Sequence, residues 1–259
     1  MVKTAMIAFL MVSTSTVAIR AEDFRVETTV KEGRREFTFL TLFRGTTVYD
    51  FQLPGGEISI FDMARKQVML VNPDRKLKTL VTFSDLSDFA EALQRRADER
   101  DEGGFFDRNI KYQLNKDAEL PHQVATTVLG YVAKAVTPPS RDLSGRYHRF
   151  ADAATLLAGF KPGGLPPYVR MRLNLELSEV GQVPVKVRRT IQRTNLLKNN
   201  RQVVTAKHEY NWLLSKTDQT RIAEANTLLA RFKTAQWEVY MKISPRVAEA
   251  PGEPATQQE

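Results

Sequence analysis

Residues 58–83 read ISIFDMARKQVMLVNPDRKLKTLVTF, and the fold class follows from how this stretch is punctuated. Ile58 to Phe61 form a short branched and aromatic run. Residues 67–71 form another, with a polar turn at 63–66 between them. Asn72-Pro73-Asp74-Arg75 is a second turn signal, and residues 77–83 give a third run. Runs this short, joined by turns this tight, pair with their neighbours in opposite directions, because a parallel return needs a long crossover. The stretch predicts an antiparallel meander. Val68 and Leu70 point one way and Met69 and Val71 the other, while Ile58 and Ile60 oppose Phe61. A sheet with one wet face shows polar residues at every second position. Both faces here must therefore be covered, one by helices and the other by more helix, a partner or an apolar ligand.

Toward the N-terminus the same grammar continues. Phe24, Val26 and Thr28 alternate with Arg25 and Glu27, residues 36–43 (EFTFLTLF) are aromatic and branched, and residues 47–53 precede the turn Pro54-Gly55-Gly56. Toward the C-terminus the period changes. Ser84 is a natural N-cap, and Leu86, Phe89, Ala90 and Leu93 make one apolar stripe at helical spacing. The charged run 94–102 continues that helix to Gly103-Gly104. Pro121 suits a first helical turn, so a helix is expected over 121–137, with a strand over 124–136 as the alternative because valine and threonine are frequent there. Tyr147, Phe150, Ala154 and Leu157 mark a further helix, closed by the 161–167 linker KPGGLPP.

From Val169 the odd positions Val169, Met171, Leu173, Leu175 and Leu177 are apolar, and Arg170, Arg172, Asn174 and Glu176 between them are polar. This alternation predicts a strand with one solvated face. After Gly181, residues 183–188 alternate again, and a third strand sets Val204, Ala206, Tyr210 and Trp212 against Thr205, Lys207, Glu209 and Asn211. Ser215 then caps a helix bearing Ile222, Ala225, Leu229 and Phe232 on one face. The expected architecture is α+β, a curved antiparallel sheet covered by helices, in the order sheet–helices–sheet–helix.

Residues 1–21 have the three zones of a secretory signal: Lys3, an uncharged run at 5–12 and small residues up to Ala21, with cleavage after Ala18 as the alternative. The expected organisation is a signal peptide at 1–21, a single domain at 22–243 and a disordered tail at 244–259, in a protein exported to the periplasm or secreted. The chain has no cysteine, which removes disulfides, thiol catalysis, thiolate metal sites and a lipidated cysteine. Its formal charge is +8, and residues 160–213 hold ten basic residues against three acidic ones. Arg170, Arg172, Lys186, Arg188 and Lys207 all fall on the polar side of their predicted strands, a candidate surface for an anionic membrane or glycan. Aromatic residues do not interleave with them, which argues against nucleic acid.

Metal and hydrolase chemistry finds little support in the sequence. His122, His148 and His208 lie far apart, and His208-Glu209 begins like a zinc-protease helix but has Trp212 where the second histidine belongs. His208 shares the apolar face of its strand with Tyr210 and Trp212, as a core or pocket histidine would. There is no Gly-x-Ser-x-Gly elbow and no phosphate-binding glycine loop. No metal and no cofactor are expected, and a hydrolase whose carboxylates meet only in space is the least favoured class.

The segments GGEISIFDMARKQVMLVNPDRKLKTL at 55–80 and MRLNLELSEVGQVPVKVRR at 171–189 resemble the hairpins of the lipoprotein-carrier superfamily, the LolA and LolB type. The resemblance implies a half-barrel closed by helices around an apolar cavity that takes acyl chains. This chain departs from that pattern in lacking a clear helix before its first strand and in its longer helical middle. The candidate lining is Phe39, Phe61, Met69, Tyr210 and Trp212, and a lipid or acyl chain is the expected ligand.

Overall fold

The computed structural model describes residues 23–100, 104–107, 110–195 and 198–242. The expected signal peptide and tail lie outside the described residues. The meander stands where the sequence places it: β1 (Phe24–Glu32), β2 (Arg35–Arg44), β3 (Thr47–Leu53), β4 (Ile58–Asp62), β5 (Gln67–Asn72) and β6 (Leu77–Thr82). Gly33 and Gly45, at φ +57° and +55°, take the left-handed conformation that the first two hairpin turns require.

Helix α1 (Phe83–Glu99) starts one residue before the expected cap. Thr82, not Ser84, is the N-cap. The Asp85 backbone N–H donates to Thr82 Oγ1 at 3.1 Å, and the Thr82 N–H donates to the Asp85 carboxylate at 2.9 Å. Ser84 has only Ser87 three residues on, so it lacks the acidic partner that completes such a box.

A 3₁₀ turn at Gly104–Phe106 leads to β7 (Lys111–Leu114), β8 (His122–Ala125) and β9 (Leu129–Val136). The helix expected over 121–137 is therefore corrected to a hairpin. Its turn is closed by Thr126, whose N–H donates to the Leu129 carbonyl at 2.9 Å while its Oγ1 accepts from the Leu129 N–H at 3.2 Å. Leu129, Tyr131 and Ala133 are buried on one side at strand spacing. Branched side chains, stiff at χ1, favour this extended form.

Helix α2 (Arg141–Phe160) is followed by α3 (Tyr168–Glu179), and α3 overturns the strand expected over 169–177. Val169, Leu173 and Leu177 are fully buried, whereas Leu175 is 48% exposed. A spacing of four is contained in a strict alternation of two, so the pattern fitted both periods. Pro167 at the helix entry, which suits a first turn, decides for the helix.

The chain then forms β10 (Val183–Asn195), β11 (Lys198–Asn211), α4 (Lys216–Arg231), β12 (Lys233–Thr234) and α5 (Trp237–Met241). Ser215 caps α4 as expected, in a reciprocal box with Asp218. The strand order is β12-β6-β5-β4-β3-β2-β1-β11-β10-β9-β8-β7. Every neighbour is antiparallel except the short β12–β6 pair. The sheet does not close into a barrel. The fold is α+β with a largely antiparallel sheet, although β7–β9 interrupt the helical middle.

Helices cover the meander on both sides. On one face Phe61, Val68 and Leu70 pack under α2, with Phe150 meeting Phe61 edge-on at 5.1 Å. On the other, Leu40, Leu42, Ile60 and Val71 pack under Ile222 and Ala225 of α4. Strands β8–β10 bury one face against Val169, Leu173 and Leu177 of α3. Their opposite face carries exposed Lys134 and Arg188.

Candidate functional site

Where α2 leaves the meander and crosses toward α3, a cleft of about 670 Å³ opens between the helix and strands β1, β9, β10 and β11. Small side chains create it. Ala151, Ala154 and Ala158 recur on one side of α2 and face Val30, Ile191 and Ala206 of the sheet. Its roof is the 161–167 linker, which lies directly on the end of α2: a Cβ at Gly164 would fall 2.0 Å from the Ala158 carbonyl oxygen. The linker is fastened by Lys161, whose Nζ meets Glu57 Oε1 at 2.5 Å, and Tyr240 donates to the other Glu57 oxygen at 2.9 Å. Beyond it, the Tyr168 hydroxyl donates to the Ala90 carbonyl, tying the start of α3 to α1.

One end of the cleft is polar. Arg170, in the first turn of α3, stands 5.9 Å from the Tyr131 ring centre, and Arg189 of β10 is a hydrogen-bond partner of the Tyr131 hydroxyl. Tyr147 and His208 complete this end. Among the described residues neither guanidinium has a carboxylate at ion-pair distance, and Arg189 Nε is buried with no hydrogen-bond partner. His208 Nδ1 is 2.9 Å from Thr28 Oγ1, and its Nε2 is buried without a partner. Burial, with the Arg170 charge adding to it, lowers the His208 pKa to about 3, so the ring is neutral. Burial raises the phenols of Tyr131 and Tyr147 and keeps them protonated, although Arg170 opposes the shift at both. Among the described residues the one carboxylate lining the cleft is Glu32, which accepts from Gln202, while Asp152 acts on Arg170 from outside the lining. The site is thus an apolar trough that ends in two arginines with no ion-pair contact among the described residues.

The expected lining is distributed differently. Phe61, Tyr210 and Trp212 lie on the α2 face of the sheet, in the packed core beside the cleft; Tyr210 stacks on Trp212 at 5.1 Å and approaches Tyr147 at 5.8 Å. Phe39 stands opposite Thr28 on that same face. Met69 is on the other face, under α4, so the five do not line one cavity. The second apolar face of the meander is covered by helix, not by ligand.

The five basic residues also separate. Arg170 and Arg172 are on α3: Arg170 turns into the cleft and Arg172 pairs with Glu176. Lys186, Arg188 and Lys207 do share the outer sheet face. There Lys134, Lys186 and Lys207 stand in one cross-strand row, with Lys186 held by Glu119 at 2.6 Å and Lys207 by Glu209 at 2.8 Å.

Arg189 was not singled out by the sequence. Its signal was a charged residue at an inward position, between buried Val187 and Ile191. His122 lies beside the Tyr112 hydroxyl at 3.0 Å and the Gln182 side chain, and His148 beside the Gln182 carbonyl at 2.6 Å. Among the described residues no group of three or more acidic or histidine side chains could hold a metal, and no helix is long and apolar enough to cross a membrane. Comparison with protein-family models and with curated proteins found no match.

Proposed function

We propose that this is an exported envelope protein that holds a lipid or other acyl-chain ligand in the cleft between α2 and the sheet. The observation that carries the reading is the cleft itself, about 670 Å³ walled by alanines and branched side chains. Roughly 300–1,000 Å³ is the range of small-molecule sites. A C16 chain buried at ~0.8 kcal/mol per methylene gains on the order of 10 kcal/mol before ordering costs, enough for micromolar binding. Kinship with the lipoprotein-carrier superfamily belongs to the same proposal, and the hairpin patterns at 55–80 and 171–189 are its support. Export rests on the zones of residues 1–21, and protein recovered outside the cytoplasm should begin at Glu22 or Ile19.

A panel of long-chain fatty acids and phospholipids should raise the melting temperature. Ala154→Trp, which fills the trough, should remove that response while the protein stays folded. A panel that produces no shift ends the reading.

A second reading is favoured by the cross-strand row Lys134–Lys186–Lys207: docking of the outer sheet face on an anionic membrane or glycan. Vesicle binding that weakens with salt and with Lys186→Glu would support it.

A further inference from the structure

The cleft's polar end is rich in donors, and one of them, Arg189 Nε, has no acceptor. Two guanidinium groups, one with a buried orphan Nε, stand beside two protonated phenols, and among the described residues no carboxylate is in ion-pair contact with either, Asp152 acting on Arg170 only from a distance. Buried donors in native proteins nearly always have partners, and a buried cation is costly unless paired. The first turn of α3, which carries Arg170, has no side-chain cap and adds the positive end of a helix. A negatively charged oxygen acceptor would complement this end.

We propose that Arg170 and Arg189 form a head-group site, and that the ligand is an anionic single-chain amphiphile whose carboxylate or phosphate oxygens lie between the two guanidinium groups. The proposal rests on the cleft reading for the chain and adds the charge of the head. Arg170 reaches the head from the helix and Arg189 from the sheet, so the site closes only where the two layers meet. The alanine wall then receives the chain beneath the linker.

Calorimetric titration of the full chain with palmitate, a C16 lysophosphatidic acid, hexadecanol and inorganic phosphate tests this. The two anionic amphiphiles should bind about tenfold or more tighter than hexadecanol, the scale of a charge-assisted hydrogen bond. Which of the two binds tighter distinguishes carboxylate from phosphate. Arg170→Gln and Arg189→Gln should each erase most of that preference. Arg170→Lys and Arg189→Lys should keep part of it, and Arg188→Gln on the outer face all of it.

A second readout does not need the Gln variants to fold. By NMR, the His208 pKa should rise from about 3 when palmitate binds, because the anion offsets Arg170, and should stay put with hexadecanol. Equal affinity for charged and uncharged amphiphiles, or a preference that survives both Gln substitutions, overturns the head-group site and leaves the cleft reading standing. Arginine-dependent phosphate binding without any long-chain binding keeps the anion site and sinks the lipid reading. Binding of none of the four ends both.

Discussion

Strands β3–β5 and strands β9–β11 belong to one sheet but differ in how many of their faces are dry. The first set lies between α2 and α4, and its sequence carries apolar residues on both faces: Ile60 faces one helix and Phe61 the other. The second set is packed by α3 on one side only. There Val187 and Ile191 are buried while Arg188 and Gln192 point outward to solvent. The number of apolar faces written in a strand equals the number of helical layers on it. The cleft falls in this one-sided half, where α2 no longer fits tightly on the sheet and polar residues are tolerated inside.

The largest effects should come from the double-sided half. Phe61→Ala should cost about 3–5 kcal/mol and Ile60→Ala about 2–5 kcal/mol in urea unfolding. A cost for Ile60→Ala no greater than that of a surface substitution would mean that α4 does not bury this face, and the contrast would collapse.

The two halves should also respond to acid in opposite senses. Burial raises Asp50 of β3 to about 6 although Thr41 Oγ1 donates to it at 2.7 Å. A carboxyl whose folded pKa lies above its unfolded value of 3.8 favours folding when protonated, and that advantage disappears as pH rises through 6. Asp50→Asn should therefore stabilise the protein by up to about 3 kcal/mol above pH 6 and by nothing below about 3.8. His208, in the one-sided half, is lowered from 6.5 to about 3. Its stabilising contribution is whole above 6.5 and is lost as pH falls toward 3, so His208→Gln should blunt acid unfolding between those values. Stability against pH for the two variants checks both signs; parallel shifts would show that the halves are not electrostatically distinct.

The smallest effects belong to the wet face. Lys186→Ala and Arg188→Ala should change stability by less than about 0.5 kcal/mol, because exposed ion pairs such as Lys186–Glu119 contribute little. A loss above about 2 kcal/mol in the same unfolding assay would reveal packing on that face.

Legibility in the sequence followed the same division. Strands β2–β6 of the meander were readable to within a residue or two, because tight turns and dense branched side chains leave the chain few alternatives. In the second half, local pattern was ambiguous in kind. Alternation at 169–177 hid the spacing of four that buries Val169, Leu173 and Leu177, and the branched residues of 122–136 fitted helix and strand alike. The cleft was less legible still. It depends on alanines of α2 meeting β10 and β11 across a long stretch of chain, and no local pattern records that meeting. Arg170 was picked out by its charge and set on the wrong kind of element. Arg189 was passed over because a second charge, directly after Arg188, resembles an interruption of the alternating pattern.

The placement of α4 bears on how the molecule is made. All six strands of the meander have left the ribosome once residue 82 has, but the helix that covers Leu42, Ile58, Ile60 and Val71 is encoded near the other end of the chain. Likewise β1 pairs with β11, so the centre of the sheet waits for almost the whole polypeptide. Contacts this distant in sequence slow folding and leave apolar strands bare in the interval. A nascent or truncated chain that stops before Ser215 presents an adhesive sheet surface, and a holdase should recognise that surface until synthesis is complete.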